Sequence, residues 1–548
     1  MLCPRAARVQ NTRWLRFIRA SRAPSIVDVM RWKGAGSGDG GRSSPRWQSS
    51  ARWFAGPVGS TATAALLAVA LRLPFLSLPL APDEGGYLLV ASHWHDDGPF
   101  SYGRLFVDRP PLLLLIYRLA AAFGGAVALR VLGCVFVVMM VAAAGWAGWL
   151  IGGRRGVQWS AFAAAALMTT PLLGTHEIDG ELLAAPWVML SCALLLRALQ
   201  PCTRRWQSLA LATAAGMSGT LAVLVKQNFV DGLVFAALVL VAVRLSGRGS
   251  AIRPSALFAA GSLGAALPLA AAAFWASTSG SGLGGLLYAV YGFRSDAVRV
   301  VLSQSLLAPV QRAQGLGVLV VGSGMLLVLL AFVFSPGGTR KDPVVIAIGV
   351  MFVTAAASVA LGASYWSHYL IQFVPAVALA SAQLSRSSRP SLWAPRVAVT
   401  VVVMSSLISS GGAMGAPQVS SADALDAAVV GWLSEAARPH DSLLIAYGHG
   451  TIFYETGLRP SYPFVWTLPM RTLDPGLTVL RDQVESPHAP VWLLEWSSLD
   501  TWSLAPPGSL PATVDAHYRQ VRDVCGVLVF LHNGLHRSIP ATPPCPTS

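Results

Sequence analysis

The sequence predicts a polytopic α-helical membrane protein that carries a small extracytoplasmic α/β domain at its C-terminal end. Three observations predict it. The 548 residues are 54% hydrophobic and only 12% charged, about half the charge of an ordinary soluble chain. Apolar runs long enough to cross a bilayer, about 20 residues each, recur from residue 57 to residue 412. After residue 412 these runs stop, and Pro, His and charged residues become frequent.

The head of the chain is basic. Residues 1–56 hold eleven Arg/Lys against Asp28 and Asp39, so +9 of the net +15 lies there. A nucleic-acid-binding arm is one reading. A disordered cytoplasmic leader, held inside by its charge, fits the Gly/Ser-rich and aperiodic composition better. The pattern of a cleaved signal peptide is not present, and Met30 offers a second start.

The bias of Arg and Lys in short loops sets direction across the membrane. A first span over about 57–80 leaves the basic head and makes the loop from Ala81 an outer one. PLLLLIYRLAAAF (111–123) is too short to cross and contains Arg118, so it reads as an interfacial helix. Spans then follow at about 129–151, 157–175, 182–199, 207–225, 229–245, 254–276, 313–334, 343–362, 368–384 and 397–412. Arg154-Arg155, Arg204-Arg205, Arg244, Arg248, Arg253, Arg340-Lys341, Arg386, Arg389 and Arg396 then all fall inside. That makes about eleven crossings, with the N-terminus inside, the C-terminus outside, and outer loops at 81–128, 176–181 and 277–312. Making 111–123 a crossing would place three of these Arg/Lys pairs outside.

Residues 413–548 contain no run long enough to span. ADALDAAVVGWLSEAA (422–437) reads as an amphipathic helix, and 442–448, 490–496 and 526–532 read as strands. The six cysteines show no metal-ligand spacing. Cys3, Cys134, Cys192 and Cys202 call for no special role, whereas Cys525 and Cys545 can pair if their region is extracytoplasmic.

The charges that remain lie at span ends. Asp83-Glu84 stands in PLAPDEGGY, Asp108-Arg109-Pro110-Pro111 opens the next apolar run, and His176-Glu177-Ile178-Asp179-Gly180-Glu181 joins two later ones. This topology puts all three on the outer face, together with Lys226, His93, His95, Tyr291, Arg294 and His368. Charges at such depths are expensive and tend to be functional. Each also has a plainer reading. Asp83-Glu84 and Asp108 can cap helices, Glu177 and Asp179 can sit in a solvated loop, and Lys226 and Arg294 can snorkel to headgroups. His93 and His95 can be solvated loop histidines. Together they suit glycosyl transfer from a lipid-phosphate donor. A carboxylate takes the acceptor proton, cationic groups receive the phosphate, and spare carboxylates with a His can hold a divalent cation.

PDEGGYLLVASHW…GPFSYGRLFVDRPPLLLLIYRL resembles the first outer loop of GT-C glycosyltransferases, in the branch of aminoarabinose transferases and protein O-mannosyltransferases. ALRVLGCVFVVMMVAAAGWAGWLIGGRRG is similar to the helix that follows it there, and SYWSHYLIQFVPAVALASAQL to a late helix. The resemblance implies a GT-C-like membrane module over 57–412. It further implies a polyprenyl-phosphate-linked sugar donor, direct inverting displacement, and a lipid, cell-wall glycan or protein as acceptor. It implies Asp83, with Glu177 or Asp179, as catalytic acids, and Arg109 as a phosphate-binding group where the family carries Lys, a substitution that is not neutral. Lys226 and Arg294 join Arg109 as expected phosphate contacts, Asp108 and Glu84 are expected metal ligands, and His368 and Tyr291 are further site residues. A secondary transporter would instead place its charges near the bilayer midplane. An inactive GT-C-like scaffold has no need for acids at all three positions.

Overall fold

The computed structural model describes residues 56–94, 96–246, 252–303, 306–334, 342–386, 393–416 and 420–545. Residues 1–55 of the expected leader (1–56), Cys3 among them, and His95, Arg248, Arg340, Lys341 and Arg389 lie outside the described residues.

The chain is a helical membrane protein. Helix α1 (Pro57–Arg72) is followed by two short helices of the first loop, α2 (Pro82–Ser92) and α3 (Pro111–Ala122). Each of these has Pro in its first turn, where the missing N–H costs nothing. At 12 residues α3 is too short to cross, in agreement with the sequence.

Helix α4 (Ala126–Leu167) has 42 residues and, if straight, would be about twice as long as the hydrocarbon core is thick. It is not straight. Gly153 sits at φ 59°, ψ −146°, and a Cβ on Gly148 would lie 2.4 Å from the carbonyl oxygen of Gly156. Eight residues of unbroken helix would separate those positions by about 12 Å. The chain therefore reverses at Gly153, with Arg154-Arg155 at the bend, and yields the two spans expected there.

Next come α5 (Gly180–Ala198), α6 (Arg205–Val225), α7 (Asp231–Leu245) and α8 (Pro254–Ser277). The long loop after α8 holds α9 (Gly282–Leu287) and α10 (Phe293–Leu302), joined by a turn of π-helix over Tyr288–Gly292. Helices α11 (Leu307–Gly322) and α12 (Met325–Phe334) meet at a bend of 69°. Then follow α13 (Pro343–Leu361), a 3-10 segment Ser367–Phe373 running into α14 (Val374–Leu384), and α15 (Trp393–Gly415). Each expected span overlaps helical backbone, which ends or breaks within some of them, as at 76–80, 168–170 and 323–324. Among the described residues, seven helices are long and apolar enough to cross a membrane, or eight with the bent pair.

The C-terminal unit opens with α16 (Ser421–Ala436), capped by Ser420. It continues through β1 (Ser442–Ile445), α17 (Gly450–Thr456), β2 (Arg459–Pro460), α18 (Thr467–Leu473), α19 (Thr478–Glu485) and β3 (Trp492–Glu495). It closes with α20 (Ser509–His517), β4 (Tyr518–Val524) and β5 (Val527–His532). The five strands form one sheet in the order β2-β1-β3-β5-β4. Strand β1 is parallel to β2 and β3, and β5 is antiparallel to β3 and β4. The expected strands at 442–448, 490–496 and 526–532 are β1, β3 and β5, each shorter than expected. Strand β4 (YRQVRDV) was not expected, because it alternates poorly and sits at the sheet edge. Cys525 and Cys545 form a disulfide.

This unit does not stand apart from the loops that join the membrane helices. Phe106 of the first loop and Ala289, Phe293 and Ala297 of the long loop are buried in one apolar cluster with Leu444, Tyr462, Phe464, Met470 and Leu493. The backbone N–H of Phe106 donates to Pro463 O at 3.0 Å. The loops that carry the charged residues are clamped between the membrane helices and the sheet.

Candidate active site

The acidic pair at the start of α2 is split by helix geometry, since adjacent residues point about 100° apart. Glu84 turns inward and is buried. It accepts from Ala81 N at 3.0 Å and so closes the helix start. It also accepts from Ile178 N at 2.8 Å and binds Arg130 at two points, 3.0 Å to Nε and 2.6 Å to Nη2. Asp83 points the other way and is only half-buried. Its Oδ1 accepts from the Trp466 indole N–H at 3.0 Å, and its Oδ2 lies 3.4 Å from the donating Tyr87 hydroxyl.

Asp108 is buried and shared by two guanidiniums, Arg109 and Arg294, each at 2.5 Å and on different carboxylate oxygens. Arg294 is aimed there by its neighbour Phe293, whose ring packs against Phe106 at 5.1 Å. Burial opposes the charge on Asp108, but Arg109 and Arg294 outweigh it and hold the carboxyl below its ordinary value. The Arg109 guanidinium also lies 5.5 Å from the centre of the Tyr87 ring. The residue at the N-cap of α3 is Pro110, so Asp108 does not cap that helix.

In the second loop, Asp179 is the N-cap of α5 and accepts from Leu182 N at 3.0 Å through Oδ1. Its Oδ2 lies 3.4 Å from His368 Nδ1. Burial, with the Glu181 carboxylate adding to it and His368 opposing, pushes the Asp179 carboxyl up to about 7. Glu181, also buried, binds the Lys226 ammonium, which lies 5.3 Å from the centre of the Tyr369 ring. Glu177 turns away toward solvent, with a 39% exposed side chain and His176 at 3.5 Å. Of the two acids left open by the sequence, Asp179 is the one inside the site.

The three clusters meet. Tyr87 packs edge-on against Tyr117 at 5.3 Å, and the Tyr117 hydroxyl donates to Ile178 O in the second loop. Asp108 also feels the charge of Lys226. Asp83, Asp108, Arg109, Arg294, Asp179, Glu181, Lys226 and His368 therefore share one region at the loop ends of the helices.

Two expected residues are placed elsewhere. Tyr291 is 52% exposed on the π-helical turn, and His93 bonds back to Leu89 O at 3.0 Å as the helix ends. Three residues of the site were given no role of their own by the sequence. Glu181 had a local signal, an Asp-X-Glu spacing at a helix start. Tyr87 had one as well, since it follows Asp83 by four residues on one helix face; Trp466 had none, because its contact with Asp83 spans 383 positions of the chain.

A metal at Asp108 or Glu84, as expected from the sequence, does not fit. Both oxygens of Asp108 are taken by Arg109 and Arg294, and both oxygens of Glu84 by Arg130, Ala81 N and Ile178 N, so neither carboxylate offers an open ligand atom. A different set fits. Ligand atoms of Asp179, Glu181 and His368 lie within 4.8 Å of one another, and the buried Asp179 Oδ2 and Glu181 Oε2 have no hydrogen-bond partner among the described residues. Two carboxylates and an imidazole suit a divalent cation.

No protein-family profile matches the chain, and no curated protein sequence matches it. Solved structures do. ArnT from Cupriavidus metallidurans bound to undecaprenyl phosphate superimposes with TM-score 0.57 at 12% identity, over 86% of this chain and 97% of that one. The apo oligosaccharyltransferase of Archaeoglobus fulgidus gives TM-score 0.55 at 13% identity, over 84% of this chain and 73% of that one. The fold is the GT-C fold. The archaeal GT-C oligosaccharyltransferase has also been solved with Zn and sulfate, at TM-score 0.50 and 15% identity over 86% of this chain and 73% of that one.

Proposed function

We propose that the protein transfers a glycosyl group from a polyprenyl-phosphate-linked sugar to a hydroxyl of a lipid, cell-wall glycan or protein acceptor on the outer face of the membrane. One observation carries the reading: two guanidiniums, Arg109 and Arg294, converge on Asp108 at 2.5 Å each beside the half-exposed carboxylate of Asp83. Guanidiniums that share one oxyanion can receive another of similar size, and planar bidentate donors suit phosphate. The likeness to a GT-C protein bound to undecaprenyl phosphate and to one in complex with a dolichol-phosphate supports this choice of donor.

In the reaction, Asp83 takes the proton of the acceptor hydroxyl as its oxygen attacks the anomeric carbon. The bond from that carbon to the phosphate oxygen breaks, and the configuration inverts. Polyprenyl phosphate leaves with the electron pair. Arg109, Arg294 and Lys226 stabilise the charge that develops on it, which is where preorganised donors contribute most. A divalent cation held by Asp179, Glu181 and His368 would supply further positive charge to the phosphate. Placing this site outside follows from the Arg/Lys bias at the opposite helix ends. The Cys525–Cys545 disulfide of the adjoining unit supports it, since such bonds persist in oxidising compartments.

The test is sugar transfer in proteoliposomes from synthetic polyprenyl-phosphate sugars. Asp83→Asn is expected to cut the rate by about 10²–10⁴-fold, the usual contribution of a general base, with normal expression. An unchanged rate would remove Asp83, and this reading with it.

A further inference from the structure

We propose that Trp466 of the C-terminal unit is a positioning residue for Asp83, so that the reactive carboxylate is set by two parts of the fold at once. The proposal rests on the proposed function only for the reaction. The contact itself is independent of it.

The indole Nε1 of Trp466 donates to Asp83 Oδ1 at 3.0 Å. The only other hydrogen-bond donor the structure gives this side chain, among the described residues, is the Tyr87 hydroxyl at 3.4 Å. The indole is held from its own side. The backbone of Trp466 pairs with Gly448 in an isolated bridge, and the next residue, Thr467, bonds to Tyr447 O. Its ring also lies 5.4 Å from that of Tyr87.

The approach is close because glycines line it. A Cβ on Gly86 would stand 2.4 Å from Trp466 Cζ2, and a Cβ on Gly450 would stand 2.4 Å from the Cα of Gly86. A Cβ on Gly85 would meet the Cα of Thr451 at 2.6 Å. Helix α17 thus sits directly on α2, the helix that begins with Asp83. A carboxylate with three staggered χ1 wells is held in one of them by a donor whose backbone is anchored in the C-terminal unit and whose ring is packed against Tyr87 and Gly86. With Oδ1 occupied by the indole, Oδ2 is the oxygen left to take a proton.

The test uses the full chain in lipid nanodiscs, labelled with 5-fluorotryptophan, the Trp466 signal being assigned by its absence in Trp466→Phe. In Asp83→Asn the Trp466 ¹⁹F signal is expected to shift, and an unmoved signal overturns the contact. Trp466→Phe keeps the packing on Tyr87 but removes the donor. It is expected to lower kcat by about 10- to 100-fold, the usual range for losing a hydrogen bond to a charged group. Donor KM is expected to stay within about twofold, because Arg109, Arg294 and Lys226 are untouched. Equal loss in kcat and affinity, or no loss, overturns the positioning role. Gly86→Ala keeps the indole N–H but displaces the ring, and is expected to reproduce the kcat defect. If Asp83→Asn moves the signal while the wild-type chain transfers no polyprenyl-phosphate sugar, the contact stands and the proposed reaction falls, together with the role of Trp466 in it.

Discussion

Glu84 and Arg130 form a buried two-point ion pair, 2.6 and 3.0 Å, that ties the first loop to α4 and leaves the adjacent Asp83 facing the site. Arg130 also donates to the carbonyls of Phe75 at 2.6 Å and Pro79 at 3.0 Å, so the whole entry to α2 is gathered around one guanidinium.

Removing one partner of that pair leaves an uncompensated buried charge. Glu84→Gln or Arg130→Met is therefore expected to destabilise the protein by about 3–5 kcal/mol, read as a lowered unfolding temperature in detergent. Asp83→Asn, one residue away, is expected to change it by less than about 1 kcal/mol. Equal effects at both positions would contradict the division of labour between the two acids.

Arg294→Gln removes one of the two guanidiniums on Asp108 without touching Asp83. Donor KM is expected to rise by about tenfold or more, since a hydrogen bond to a charged group contributes about 1.5–3 kcal/mol. The acceptor KM is expected to hold. Steady-state kinetics with donor and acceptor varied separately distinguish these outcomes.

Divalent cation binding can be followed without turnover, by the electron paramagnetic resonance signal of added Mn²⁺. Wild-type protein is expected to quench the free-ion signal at about one ion per chain. Asp179→Asn and Glu181→Gln are expected to lose that binding, while Asp108→Asn retains it. Retention in all three variants would rule out this ligand set.

A pH-dependent pair lies in the C-terminal unit, where His449 Nε2 is 3.3 Å from Asp426. Burial, then Asp423 and Glu455, pushes Asp426 up to about 7, so its contribution to stability is lost as pH rises from about 4 to 7. Burial lowers His449 to about 4, so its contribution is lost as pH falls from about 6.5 to 4. The two slopes oppose each other in the wild type. In His449→Gln, unfolding temperature is expected to fall as pH rises from 4 to 7, and in Asp426→Asn to fall as pH drops from 6.5 to 4. Slopes of the same sign in both variants would refute the assignment.

Much of the fold was legible in the sequence, because a bilayer demands long apolar runs and Arg/Lys mark their ends. Arg154-Arg155 located the reversal inside α4, where Gly153 leaves the helical conformation. Arg118 and the shortness of 111–123 identified α3 as a non-crossing helix. Strand β4 was not legible, since an edge strand with one partner has little reason to alternate. Within the site, the acidic clusters in the chain located the first and second loops. They could not separate Asp83 from Glu84, or Asp179 from Glu177, because neighbours in sequence differ only in the direction they face once packed.

What the sequence determined by itself is the class of molecule and where along the chain its charges gather: apolar helices, with charged residues in the segments that join them. These follow from the cost of burying charge in hydrocarbon, which acts locally on each segment. What only the tertiary structure decided is which charges meet. Arg294 finds Asp108 because Phe293 packs on Phe106, Glu181 finds Lys226 across two helices, and Trp466 finds Asp83 across most of the chain. Those pairings depend on close packing between distant segments, and no local pattern of residues encodes them.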